Sequence, residues 1–233
     1  MPTWTHEQTA VNAGTEPLAF ASNVKAGSLL IAMSTGDNTA IPMAAPTDTV
    51  GTSYSSIRQA SSLNSQELCW WWGIAPSAGA NTVNFTGHAL WDAYLVSEYS
   101  VDAGEITLDV ETGQTFTGVT GTDGVTTGNV SASLDESLVV GFLTNDTGTL
   151  ITYTAGTNFT ERGLTNLSGS TNDKVTTESR VLATAGSVAA TWTPSASAQG
   201  ICFVAVFKAV AWPPTGEDNA PETLRVVASG MRF

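Results

Sequence analysis

Positive charge is scarce in this chain. Eight lysines and arginines stand against 21 aspartates and glutamates in 233 residues, which gives a net charge of −13 and a pI near 4.2. Sequence-independent nucleic-acid binding replaces phosphate counterions with clustered cations. No such cluster occurs, so nucleic acid is not an expected partner, and neither is an anionic membrane surface. No stretch approaches 18 apolar residues, so no spanning helix is expected. The opening MPTWTHEQTA lacks the basic start and apolar core of a secretion signal, which points to synthesis in a reducing cytoplasm. Cysteine is limited to Cys69 and Cys202, too few for a disulfide framework. Both lie in apolar, strand-like segments and read as buried free thiols, with a Cys69–Cys202 bridge left open because it needs close Cα atoms. The two histidines, His6 and His88, have no GxSxG elbow to serve and no metal-ligand spacing with the cysteines. TGTDGVTTG has neither the lysine nor the helix of a phosphate-binding loop. No catalytic set, cofactor or metal is expected.

What is present is apolar, β-forming and said twice. Hydrophobic residues make up 42% and charged residues 12%, about half the usual charged share, so the chain is not of the disordered type. SLLIAMS at Ser28 returns as SLVVGFLT at Ser137, 109 residues on. Glu67 opens ELCWWWG and Glu178 opens ESRVLAT, 111 residues on. AYLVSEYS at Ala93 returns as ICFVAVFK at Ile201, 108 residues on. Such a period is too long for a solenoid unit, and no 3.6-residue periodicity accompanies it. The expected fold is all-β, a jelly-roll-like β-sandwich with two pseudo-repeated halves at about 26–100 and 135–208. It forms one domain over 1–210, followed by a linker and assembly arm over 211–233, where PPTGEDNAPE precedes TLRVVASGMRF. Residues before 27 read as a polar lead-in, ELCWWWG pairs with NTVNF as a hairpin, and Ile106, Leu108 and Val110 mark an edge strand.

In a strand Trp70 and Trp72 share one side and Trp71 takes the other. Either both faces are covered, or at least one ring reaches an interface or a glycan. Glycoside hydrolysis needs two carboxyls roughly 5–10 Å apart. Asp92 and Glu98 lie too far apart along one strand to be that pair, although either can meet a neighbour such as Glu67. Asp123, Asp135 with Glu136, and Asn145 with Asp146 are the calcium candidates, without a DxDxDG pattern.

The strings ELCWWWGIAPSAGANTVNF, LWDAYLVSEYS, DESLVVGFLTND and SVAATWTPSASAQGICFVAVFK resemble a β-sandwich domain recurrent in structural proteins of tailed bacteriophages, over about residues 26–208. The resemblance implies a non-enzymatic role as a capsid decoration (cement) protein on the virion surface, made in the host cytoplasm. The implied partners are the major capsid protein and further copies of the chain, with a trimer favoured. The alternative is a carbohydrate- or receptor-binding module of a tail or fibre. Trp4, Trp71, Trp91, Arg225, Met231 and Phe233 are the expected interface anchors.

Overall fold

The computed structural model describes residues 2–14, 16–37, 43–61, 66–85, 90–121, 123–147, 149–170 and 172–210. Every regular element among them is a strand. The first part of the chain supplies β1 (Trp4–Ala13), β2 (Leu18–Ala19), β3 (Leu29–Asp37), β4 (Thr47–Asp48), β5 (Ser55–Ser61), β6 (Gln66–Ile74), β7 (Thr82–Asn84) and β8 (Leu90–Val101). The second supplies β9 (Glu105–Val119), β10 (Val125–Thr126), β11 (Val130–Ala132), β12 (Ser137–Asn145), β13 (Tyr153–Ala155), β14 (Thr160–Asn166), β15 (Lys174–Leu182), β16 (Gly186–Val188), β17 (Thr191–Pro194) and β18 (Ala198–Val210).

These strands make two five-stranded antiparallel sheets, β1-β8-β3-β6-β5 and β9-β18-β12-β15-β14. Three small sheets accompany them: β2-β7-β4, β10-β17-β13 and β11-β16. Taken in that direction the large sheets match strand for strand, and so do the two three-stranded ones. The β11-β16 ribbon has a reduced counterpart in the single bridge between Val24 and Gly79. The match extends to irregularities. β5 bulges at Ile57 and β14 at Arg162, while β1 bulges at Glu7 and β9 at Asp109. Thr35 and Thr144 hold matching positions, and their hydroxyls meet at 3.3 Å. A contact between a position and its own counterpart is what a local twofold relation produces.

Alternation along the strands sorts apolar side chains into three clusters. Leu29, Ile31, Met33 and Trp70 join Leu138, Val140, Phe142, Phe203 and Phe207 in a cluster drawn from both large sheets. Trp70 stacks on Phe203 there, with ring centres 6.3 Å apart. The opposite faces feed two other clusters. Leu30, Ala32, Cys69 and Trp71 meet Leu18, Val83 and Phe85, and Val139, Leu143, Cys202 and Val204 meet Val125, Tyr153 and Trp192. Both large sheets therefore bury both faces. For that reason β12, SLVVGFLTN, reads as a continuous apolar run and not as an alternation.

Several expectations differ from this arrangement. β6 does not pair with β7: β6 lies between β3 and β5, and β7 lies between β2 and β4. The PSAGAN connection carries the chain from a large sheet to a small one, so it is not a hairpin turn. The matching units are longer than expected, starting at β1 and β9 and ending at Val101 and Val210. β1 escapes notice because it is an edge strand of mostly half-buried, polar residues. The glutamate echo is out of register. Gly36 faces Glu67 and Asn145 stands where Lys174 begins β15, whereas Glu178 faces Gly141, the counterpart of Ala32, whose partner is Trp71. Glu178 thus occupies the position of Trp71.

That exchange leaves a carboxylate fully buried. Its Oε2 accepts the Gly156 N–H at 2.9 Å and its Oε1 accepts the Thr191 N–H at 3.1 Å. Gly141 beneath it is required, since a Cβ there would lie 2.5 Å from Ala190 Cβ and 3.0 Å from the tip of Trp192. Burial pushes the Glu178 carboxyl up from 4.5 to about 7, against the lowering effect of the two N–H bonds. A raised carboxyl pKa means that the folded state holds the proton more tightly than the unfolded chain. The Glu178 contribution is then present below pH 4.5 and is lost as pH rises to about 7, a change of about 3 kcal/mol. Urea unfolding across this range should show stability falling with pH, and Glu178→Gln should remove that slope; equal slopes in the two proteins would refute the assignment.

Candidate functional site

Two of the bulged strands, β1 and β9, carry organised polar groups at the surface. A bulge adds one residue to a strand and re-aims its side chain. On β1 the added residue is Glu7, whose Oε1 takes an ion pair from Lys25 at 2.5 Å and a hydrogen bond from the Ser100 hydroxyl. On β9 it is Asp109, paired with Lys208 Nζ at 2.8 Å and bonded by the Ser133 hydroxyl at 2.7 Å. Ser100 and Lys208 occupy the same position on β8 and β18, and Lys25 and Ser133 both precede the following long strand. Both copies therefore place one acid, one lysine and one serine together, with lysine and serine exchanged.

In the first copy this group lines an open groove of about 690 Å³. Thr5 and Glu7 come from β1, Thr3 lies just before it, Lys25 comes from the turn before β3, Ser100 from β8, and Asp102 from the turn after β8. Ser28 also lines it, and its hydroxyl is buried without a hydrogen-bond partner. The bonds from Lys25 and then Ser100 hold the Glu7 carboxyl below its ordinary range, and the Thr3 N–H does the same for Asp102. Both groups are ionised at neutral pH and suit recognition of polar or cationic groups. Neither suits proton donation, which needs a raised carboxyl.

The sequence-derived candidates are dispersed. Trp4 is buried at the edge of its sheet, where its indole N–H donates to the Glu136 carbonyl at 2.8 Å. Trp71, at 1% exposure, packs on Phe85 with ring centres 6.4 Å apart. Neither presents a ring to a neighbour, because both faces of β6 are covered and Trp4 is held against the second half. Trp91 lies on β8 with its side chain outside the described residues, as are His88, Arg225, Met231 and Phe233. Glu98 is interior, like its counterpart Val206, and accepts the Lys25 N–H and the Gln8 amide, each at 2.7 Å. It clamps the Ser22–Lys25 turn. Asp92 accepts the Tyr94 hydroxyl at 3.1 Å, and burial raises its pKa. Cys69 and Cys202 are free thiols in different clusters. Of the calcium candidates, Asp135 accepts the Ala185 N–H and Asn145 the Lys174 N–H. Among the described residues no three acid, histidine or cysteine side chains are grouped to hold a metal.

The acid–lysine–serine groups were invisible in the sequence. Their members lie far apart, and only the strand register shows that one copy is a rearrangement of the other. No family model, curated protein or solved structure matches the chain. Carboxyl NMR titration offers a test of the exchange. Lys25→Ser should raise the Glu7 pKa towards its ordinary value, and adding Ser100→Lys should lower it again. Failure of the double variant to lower it would mean the two arrangements are not interchangeable.

Proposed function

We propose that this chain is a non-enzymatic structural protein of a tailed-phage virion, a decoration protein that binds the capsid surface and stabilises the head. Its fold on this reading is a jelly-roll-like β-sandwich doubled within one chain. The observation that carries the reading is the disposition of the aromatics. Trp4, Trp70, Trp71 and Trp192 are buried, and Trp72 packs edge-on against Phe207 at 5.7 Å. The exposed large apolar side chains among the described residues are Leu134, Leu150, Leu164, Val181 and Val210. A sugar-stacking platform needs exposed rings, and no tryptophan among the described side chains supplies one, so this disposition favours a rigid body acting through its edges and its 211–233 segment. The proposed partners are the major capsid protein and other copies of the chain, with a trimer favoured. A charge of −13 suits a basic face on the lattice, and contacts to several subunits at once would supply avidity. The alternative, a carbohydrate- or receptor-binding module of a tail or fibre, draws on the polar groove beside Glu7 and Lys25.

Purified chain added to particles that lack it should bind them and raise their resistance to heat. Deleting Pro213–Phe233, which contains the anchors Arg225, Met231 and Phe233, should leave the protein folded and abolish that binding. Absence of binding by the full chain would sink the decoration reading, and an unfolded deletion product would assign the segment to the core.

A further inference from the structure

The two large sheets meet along two seams that the local twofold relation makes equivalent, and the seams differ in chemistry. In one, Ile57, Ile74, Leu108, Trp72 and Phe207 pack with Leu29 and Ile106 in the apolar cluster between the sheets. Strand register matches these positions to Arg162, Val181, His6, Ser179, Tyr99, Leu138 and Trp4 in the other. All seven of the latter line a single cavity of about 50 Å³. Four apolar residues of one seam thus correspond to an arginine, a histidine, a serine and a tyrosine of the other. The replacement of tryptophan by serine accounts for the space, and the replacement of phenylalanine by tyrosine adds a hydroxyl there.

Buried polar groups cost free energy unless they are satisfied, and this set is only partly satisfied internally. The Tyr99 hydroxyl, on a residue 1% exposed, makes no hydrogen bond of ordinary geometry, and the Ser179 and Ser97 hydroxyls are the groups near enough to act on it. Arg162 donates through Nε to the Ser179 hydroxyl at 2.8 Å and makes no ion pair with a carboxylate among the described residues. Once Ser179 accepts that bond, its own hydrogen is available to donate. No aspartate or glutamate lines the cavity. Burial, followed by the charge of Arg162, pushes the His6 imidazole down to about 4, so the ring is neutral at pH 7 and bonds Thr9 at 2.8 Å. The cavity is therefore rich in donors and is too small for a sulfate-sized tetrahedral ion with its hydration. It is lined by two cationic residues, Arg162 and Arg180, the latter with its guanidinium over the Phe159 ring, and has no carboxylate among its walls. We infer that the seam between β1, β8, β14 and β15 is a binding site for a compact monovalent anion of halide or formate size, held by Arg162, Tyr99 and Ser179. Because its walls come from both large sheets, such an ion ties the two halves of the chain together.

The site can be tested on the full chain with bromide, formate and sulfate at matched ionic strength. A ligand that binds only the folded state raises the melting temperature saturably. Bromide and formate should do so and sulfate should not; Tyr99→Phe should weaken the effect, and Arg162→Ile, which copies the apolar seam, should abolish it. Crystals soaked in bromide should show one anomalous peak beside Arg162 and Tyr99. A non-saturable response identical in the parent and in Tyr99→Phe would overturn the proposal, as would water without anomalous signal in the cavity. The crystallographic arm needs no variant, so it decides the matter even if Arg162→Ile does not fold.

Discussion

Burial of both faces of each five-stranded sheet is the constraint on which the rest of this structure depends. A strand in such a sheet has no side to give to water, so β3, β6, β8, β12 and β18 must be apolar or internally satisfied at nearly every residue. The tryptophan run follows from this: Trp70 and Trp72 turn to the cluster between the sheets, and Trp71 turns to the outer one. The low charged content follows as well, because a charge on a strand covered on both faces must be desolvated. The buried acids Glu98 and Glu178, both on central strands, are held by hydrogen bonds from backbone N–H groups. Each would otherwise be an unpaired buried charge.

The same constraint explains what was legible in the sequence. Continuous apolar runs identify the central strands, and the 109- and 108-residue echoes place β3 with β12 and β8 with β18 in the register that the structure has. The edge strands were not legible as a pair, because β1 and β9 are half-buried and carry hydroxyls, amides and acids on the side that faces out. The glutamate echo misled because register is set by backbone pairing to the neighbouring strand and not by residue identity. The small outer sheets, with strands of two to four residues, are too short for any periodicity. The groove and the inter-sheet cavity were illegible for a further reason: each is assembled from residues distant in sequence, and only comparison of matching positions reveals it.

That comparison separates scaffold from specialisation. The matching bulges, the Thr35–Thr144 contact and the equal strand orders belong to what the halves share. The exchange of lysine and serine around Glu7 and Asp109 changes identity while keeping composition, as expected where the requirement is to neutralise a bulged acid. The two seams behave otherwise. There one half-interface is apolar and the other polar, which is a loss of packing without compensation inside the molecule, and such a loss marks a site under a demand other than stability.

The two cysteines acquire a use from where the fold puts them. Cys69 lies in the outer cluster of the first half and Cys202 in that of the second, with both large sheets between them, so the folded chain cannot join them. Burial pushes each thiol up to about 12, which leaves almost no thiolate to react while its cluster is closed. Alkylation of either thiol then waits on local opening of the layer that covers it. The chain carries an intrinsic pair of clocks, one per half, whose labelling rates report whether the two outer layers breathe together or apart.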